Sequence, residues 1–269
     1  SVILLARMAG TPVMLYAQGI GPVCGGFARW LMTAISRRVA RITVRDYGSL
    51  EELRSLNITQ PPSEVTADPV LAIHPVDRGI GRAILTKYKA AGAKPVVGIS
   101  VREWRGWSGY KKAIAAAADE IAREFEARVI FLPMQYPEDV EIARKIAAQA
   151  GEPMIVLDEE YTTSELLSIV GNLDLLISIR LHGLIFAGVM GVPMVGISYD
   201  PKIDRFLDSI DEKPAADLKT ATVGNIMAAV REKWANRKNE AEQREGRLAE
   251  LRRLAARNAE LALELIEKM

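Results

Sequence analysis

The chain has 269 residues, 49% hydrophobic and 26% charged, a globular balance in a chain long enough to bury a core unaided. Its 35 Lys and Arg against 34 Asp and Glu leave a formal net charge of +1, without the long-range field of a dedicated nucleic-acid binder. One cysteine, Cys24, and two histidines, His74 and His182, exclude an internal disulfide, a thiol-rich zinc site and a multi-histidine metal centre.

Ser1 to Gly10 reads as the inside of a helix that stops at Gly10, so the chain is expected to begin within a domain. Val13–Ala17 is a short continuous apolar run, as in a strand covered on both faces, and Gln18-Gly19-Ile20-Gly21-Pro22 breaks it. A helix is expected from Phe27 to Arg38 and a strand at Arg41–Val44. Ser49 is placed to cap a helix from Leu50 to Leu56, with Glu51 and Glu52 in its first turn. Val65–Ala67 is a strand stopped by Asp68-Pro69, and the stretch from Ile73 to Arg78, with Pro75, reads as a linker.

The alternation then restarts. Strands are expected at Val96–Val101, Val129–Leu132, Met154–Leu157, Leu173–Ser178 and, last, Met194–Ile197. The helices between them run over Tyr110–Phe125, Glu138–Ala150, Thr163–Val170 and Leu184–Met190. Such alternation implies parallel sheets joined by crossover helices. The fold class is therefore α/β, with two facing Rossmann-like lobes: an incomplete one over residues 1–74 and a complete one over 75–222. Residues 223–269 form a densely charged helical segment. Within it Leu248, Leu251, Ala255, Ala262 and Leu265 make a narrow apolar stripe, and Glu240 and Arg244 an i,i+4 pair.

In an open parallel sheet, ligands bind beyond the carboxyl ends of the strands. Arg45, Arg102 and Arg180 each follow the end of an expected strand, and together they suit an anionic ligand because a guanidinium donates two parallel hydrogen bonds to a carboxylate or phosphate. Local pairing with Asp46 or Glu103 accounts for Arg45 and Arg102 equally well. Ser178 to Ala187 is a strand running into a helix, whose first turn offers free N–H groups and the positive end of the dipole to an anion. Arg180 adds charge there, and His182 is either a group that carries a proton near neutral pH or a buried histidine hydrogen-bonded to backbone. Gly183 permits either backbone approach to a ligand or tight helix packing. The Gly19-Ile20-Gly21 loop lacks the third glycine of a dinucleotide fingerprint, since Cys24 stands there. Trp104 and Trp107 follow Arg102 and either stack on sugar rings or pack on the body. His74 reads as a linker residue, and Cys24 has no neighbouring base to activate it.

Tyr16-Ala17-Gln18-Gly19-Ile20-Gly21-Pro22, Ile42-Thr43-Val44-Arg45-Asp46, Asp68-Pro69, Leu132-Pro133-Met134-Gln135, Arg180-Leu181-His182-Gly183 and Pro193 to Lys202 occur in this order. In that combination, over roughly residues 1 to 210, the chain resembles the polysaccharide pyruvyl transferases, and among them the CsaB-like branch that modifies secondary cell-wall polymers. The resemblance implies two facing lobes as in GT-B glycosyltransferases, with phosphoenolpyruvate as donor and co-substrate, a sugar as acceptor, and no metal or other cofactor. It assigns the Arg180-Leu181-His182 segment to donor binding and catalysis, with Arg180 and His182 the catalytic pair; the strand ends and the helix start described above add Arg45, Arg102 and Gly183 as donor-binding candidates. Gln18, Gly19, Gly21, Trp104, Trp107, Gln135 and Lys202 are the candidates for the acceptor or the cleft. The family's glycine-rich opening segment is not found in this sequence. An acceptor of the lipid-linked N-acetylmannosamine type is implied, with peripheral membrane contact left open. No apolar run approaches the ~20 residues that span a bilayer, and no export signal is legible. A cytoplasmic location is therefore expected, at the inner face of the membrane if the acceptor is lipid-linked. A nucleotide-sugar glycosyltransferase on the same architecture is the alternative enzyme, and a carbohydrate- or anion-binding lobe without catalysis is a third reading.

Overall fold

The structure, a computed structural model, describes residues 2–104 and 106–267. It divides into two compact units, residues 1–73 with 247–269, and residues 74–246. In the first unit, helix α1 (Val2–Met8) leads into strand β1 (Met14–Gln18), helix α2 (Gly26–Ser36), strand β2 (Arg41–Val44), helix α3 (Tyr47–Ser55) and strand β3 (Ser63–Val65). The three strands are parallel, in the order β1-β2-β3. The middle strand is the most buried, and its Ile42 and Val44 meet Leu53 of α3 and Val39, Leu56 and Ile58 in a small core. The cap of α3 differs from expectation. Asp46, not Ser49, is the N-cap, and its carboxylate accepts the Ser49 N–H at 2.7 Å. Ser49 therefore falls inside the first turn, where its buried hydroxyl accepts the Ile20 N–H at 2.9 Å and ties the loop after β1 to α3.

The second unit carries helix α4 (Gly79–Lys87), strand β4 (Val96–Ser100), helix α5 (Gly109–Glu124), strand β5 (Arg128–Phe131), helix α6 (Glu138–Ala147) and strand β6 (Ile155–Val156). There follow helix α7 (Thr163–Val170), strand β7 (Leu175–Ser178), helix α8 (Leu181–Met190), strand β8 (Met194–Ser198), helix α9 (Pro201–Ser209) and strand β9 (Ala216–Asp217). Helix α10 (Val223–Asn236) and helix α11 (Glu240–Ile266) close the chain. All strand pairs are parallel, in the order β6-β5-β4-β7-β8-β9. Counted within the unit this is the 3-2-1-4-5-6 order of a doubly wound sheet, and the order reverses between β4 and β7. Val96–Ser100, Leu175–Ser178 and Met194–Ser198 are buried at every position, as continuous apolar strands covered on both faces should be.

Three elements were not expected. Helix α4 opens on Gly79-Ile80-Gly81, directly after the stretch read as a linker, although glycine disfavours a helix interior. Gly81 is nevertheless the point where α4 meets α7, and its N–H donates to the Ser168 hydroxyl at 2.7 Å. Helix α9 starts on an Asp200 cap that accepts the Lys202 N–H at 3.0 Å, with Pro201 in the first turn. Strand β9 is only two residues long and pairs with β8.

Residues 223–269, expected as a charged helical segment, divide between the units. Ile226, Met227 and Val230 of α10 enter the core of the second unit, and α11 is shared between the two units at Gly246/Arg247. The expected stripe on α11 is partly realised: Leu248 and Ala255 are buried together with Leu261, whereas Leu251, Ala262 and Leu265 are half-buried. Of the Glu240–Arg244 pair, the Glu240 side chain lies outside the described residues. Arg244 is buried and donates to the Val192 carbonyl at 3.3 Å. Among the described residues no helix is long and apolar enough to cross a membrane.

Candidate active site at the carboxyl edge of the six-stranded sheet

The strand order brings together the ends of β5, β4, β7 and β8, and the side chains there come from four separate stretches of sequence. Arg180 leaves β7 and is the N-cap residue of α8. Ser178 closes this turn, its hydroxyl accepting the Arg180 N–H at 3.0 Å and lying 2.7 Å from the Arg180 carbonyl. Helix α8 has no side-chain cap, and every residue of it except His182 is buried. In a helix that is otherwise core, the one exposed residue sits in the first turn, at the edge where the strands end. The His182 ring lies 6.4 Å from that of Phe186, one turn on. Leu181 is buried, so what it offers a ligand at this turn is its backbone. Gly183 resolves to close packing: a Cβ there would stand 2.5 Å from the Ser178 hydroxyl, so glycine lets α8 settle against the end of β7.

Arg180 does not point freely into solvent. Its Nε donates to Asp139 Oδ2 at 3.0 Å and its Nη2 to Asp139 Oδ1. Asp139, on the first turn of α6, is 1% exposed, and its Oδ2 also accepts the backbone N–H groups of Met134 and Gln135 at 3.1 and 3.0 Å. The remaining Arg180 N–H groups, those of Nη1 and the second of Nη2, make no hydrogen bond among the described residues. Gln135 is exposed on the same loop.

At the end of β4, Arg102 donates from Nη1 to the Tyr199 hydroxyl, and its guanidinium carbon stands 4.9 Å from the Tyr199 ring centroid and 5.4 Å from that of Trp104. The backbone carbonyl of Arg102 accepts the Tyr110 hydroxyl at 2.8 Å, and burial pushes the Tyr110 phenol up to about 12. Arg102 Nε and Ser100 Oγ are buried polar atoms without a hydrogen-bond partner among the described residues. Trp104 packs on Tyr199 at 4.6 Å and on Trp107 at 5.7 Å, and Lys219 stands 4.4 Å over the Trp107 ring. These tryptophans thus form one half-buried cluster on the body of the unit. Lys202 lies beside it, 5.3 Å from the Tyr199 ring centroid, with Asp200 at 3.6 Å.

Arg102, Arg180, His182, Gln135 and Lys202 thus share one edge of one sheet. The other candidates belong to the first unit. Gln18 ends β1 and its side chain donates to the Tyr16 carbonyl at 3.0 Å. Arg45 follows β2, pairs with Asp68 at 3.0 Å and lies against Gly19, where a Cβ would stand 2.5 Å from its Nε. Gly21 has open space around it. Sequence reasoning missed Asp139, whose place near a helix start reads as a complement to the helix dipole. It also missed Tyr199, which is quoted only as part of a longer motif. Two acidic residues leading α6 were visible, but nothing local says that one turns inward.

The family model for polysaccharide pyruvyl transferase matches residues 1–201. No curated protein matches the chain. Among solved structures, Staphylococcus aureus MnaA with UDP is similar at a TM-score of 0.66 and 13% identity, over 90% of this chain and 66% of that one. UDP-GlcNAc 2-epimerase from Neisseria meningitidis bound to UDP-GlcNAc gives 0.68 and 12%, over 97% and 72%. Anabaena HepE in complex with UDP gives 0.67 and 12%, over 99% and 75%. The chain thus spans about two thirds of the length of the first of these, and at such identities the likeness speaks for a GT-B-like fold alone. The match over residues 1–201 carries the family: the chain belongs to the polysaccharide pyruvyl transferases.

Proposed function

We propose that the protein transfers pyruvate from phosphoenolpyruvate to two hydroxyls of one sugar as a ketal, releasing phosphate. The observation that carries this reading is the carboxyl edge of the second unit. There Arg102 and Arg180 flank the reversal of strand order, and the uncapped first turn of α8 presents His182 beside them. Phosphoenolpyruvate carries a carboxylate and a phosphate, and arginines with a helix N-terminus are the groups that bind such an anion.

In this reading the free N–H groups of Arg180 and the guanidinium of Arg102 hold the donor. His182 supplies a proton to the methylene carbon, leaving the central carbon electrophilic for one sugar hydroxyl, whose proton returns to the base. The carbon–oxygen bond to phosphate then breaks, and the second hydroxyl closes the ketal as its proton leaves with the phosphate. The arginines stabilise the charge of the departing group. The CsaB-like resemblance suggests a lipid-linked acceptor carrying N-acetylmannosamine, handled in the cytoplasm at the inner membrane face.

Incubation with phosphoenolpyruvate and lipid-linked disaccharides, followed by mass spectrometry and a phosphate assay, is expected to show one ketal and one phosphate per turnover. Phosphate release without a ketal, or neither product, would count against the reading. The solved neighbours described as bound to UDP or UDP-GlcNAc favour one other reading, a nucleotide-sugar enzyme. Thermal stabilisation by a UDP-sugar and not by phosphoenolpyruvate would select it.

A further inference from the structure

We infer that Asp139 is the positioning residue for Arg180: it fixes one edge of the guanidinium so that the other edge is presented to an anion. The consequence for the donor rests on the reading above; the positioning itself does not. One carboxylate here serves four donors, Arg180 Nε and Nη2 and the backbone N–H groups of Met134 and Gln135. A carboxylate that is 1% exposed would be costly to bury without such partners. It thereby locks two strand ends together, the loop after β5 and the turn after β7, across the end of β4 that lies between them. The fork-on-fork geometry leaves Arg180 no rotational choice. Its Nη1 amino group and the outer Nη2 hydrogen remain for a ligand.

Two consequences of Asp139 oppose each other, and they make the inference testable. As a negative charge it weakens the local attraction for an anionic donor. As a clamp it removes the cost of ordering a long side chain at the moment of binding. If the clamp dominates, Asp139→Asn weakens phosphoenolpyruvate binding although it takes away a negative charge. A purely structural or purely electrostatic role predicts unchanged or tighter binding.

The experiment uses the whole chain with its arginines labelled with 15N. The Arg180 Nε–H resonance, assigned by its loss in Arg180→Lys, is expected to exchange slowly in the unaltered protein and to broaden or vanish in Asp139→Asn. Phosphoenolpyruvate titrated by calorimetry is expected to bind Asp139→Asn about 10-fold or more weakly, the worth of a charge-assisted hydrogen bond. Arg180→Lys should then cost much less in the Asp139→Asn background than in the unaltered protein. An Nε–H signal unchanged in Asp139→Asn, equal or tighter donor binding, or additive losses in the double variant would each overturn the inference. So would an Nε–H in the unaltered protein that exchanges as fast as a free guanidinium, which keeps the test decisive if Asp139→Asn does not fold. If the unaltered protein binds no phosphoenolpyruvate, the donor reading falls, and the Nε–H comparison still decides the role of Asp139.

Discussion

At the scale of single residues, chemistry and support are separable. His182 is the one exposed member of a buried helix, so replacing it disturbs little packing. His182→Gln keeps hydrogen-bonding capacity but cannot relay a proton, and turnover should fall about 10²–10⁴-fold, with donor affinity kept within about tenfold of the unaltered protein. Steady-state kinetics beside calorimetry checks this, and retained turnover would leave His182 a binding residue only. Tyr110 illustrates support. Its hydroxyl holds the Arg102 carbonyl, and burial raises its ionisation to about 12. The unfolded chain then releases this proton first, near the ordinary value of 10. The stability Tyr110 contributes is present below pH 10 and is lost as pH rises towards 12, by up to about 1.4 kcal/mol per pH unit. Urea unfolding between pH 9 and 12 should show a shallower decline in Tyr110→Phe than in the unaltered protein.

At the scale of elements, legibility in the sequence follows the strength of the local signal. Thr163–Val170 and Arg41–Val44 were read at their observed bounds: the structure frames the first with a capping box of Thr162 and Glu165, and the second is rich in β-branched residues. Helix α8 starts at Leu181 rather than Leu184, since no capping side chain announces its first turn. The same missing cap leaves the N–H groups of that turn without a side-chain partner. Arg102 and Arg180 were legible as strand-end arginines; Asp139 was not, because its partner lies 41 positions away. Gly183 gives an element-level prediction. A methyl at this position would stand 2.5 Å from the Ser178 hydroxyl and push α8 off β7. Gly183→Ala should destabilise the second unit by about 1–3 kcal/mol, seen as a lower urea midpoint at unchanged slope, and Ser178→Ala should recover part of the loss.

At the scale of the whole molecule, the two sheets and a charged last helix laid against the body were anticipated, and the polar contact by which that helix docks was not. Charge alone describes residues 240–266 as a solvated helix, yet its stripe contains a polar residue that is 0% exposed, Asn258. Its Oδ1 accepts the Thr66 hydroxyl at 2.9 Å and its Nδ2 donates to the Ala67 carbonyl at 3.2 Å. These partners lie just beyond β3, so the helix completes the first unit by satisfying the polar end of a strand as well as by covering apolar surface. A search for apolar periodicity cannot find such a contact, because only the fold brings residue 258 to residues 66 and 67. Arg257 adds ion pairs to Glu64 and Glu264, but these are exposed enough to contribute little. Asn258→Ala leaves the buried Thr66 hydroxyl without this partner and should cost about 1–3 kcal/mol. The loss should fall on the first unit, whereas Ile226→Ala, in the core of the other unit, should spare it. Hydrogen exchange resolved by peptide is expected to show faster exchange over β1–β3 in Asn258→Ala, with β4, β7 and β8 unchanged. Equal loosening of both sheets would mean that they unfold as one cooperative body and that α11 belongs to neither alone.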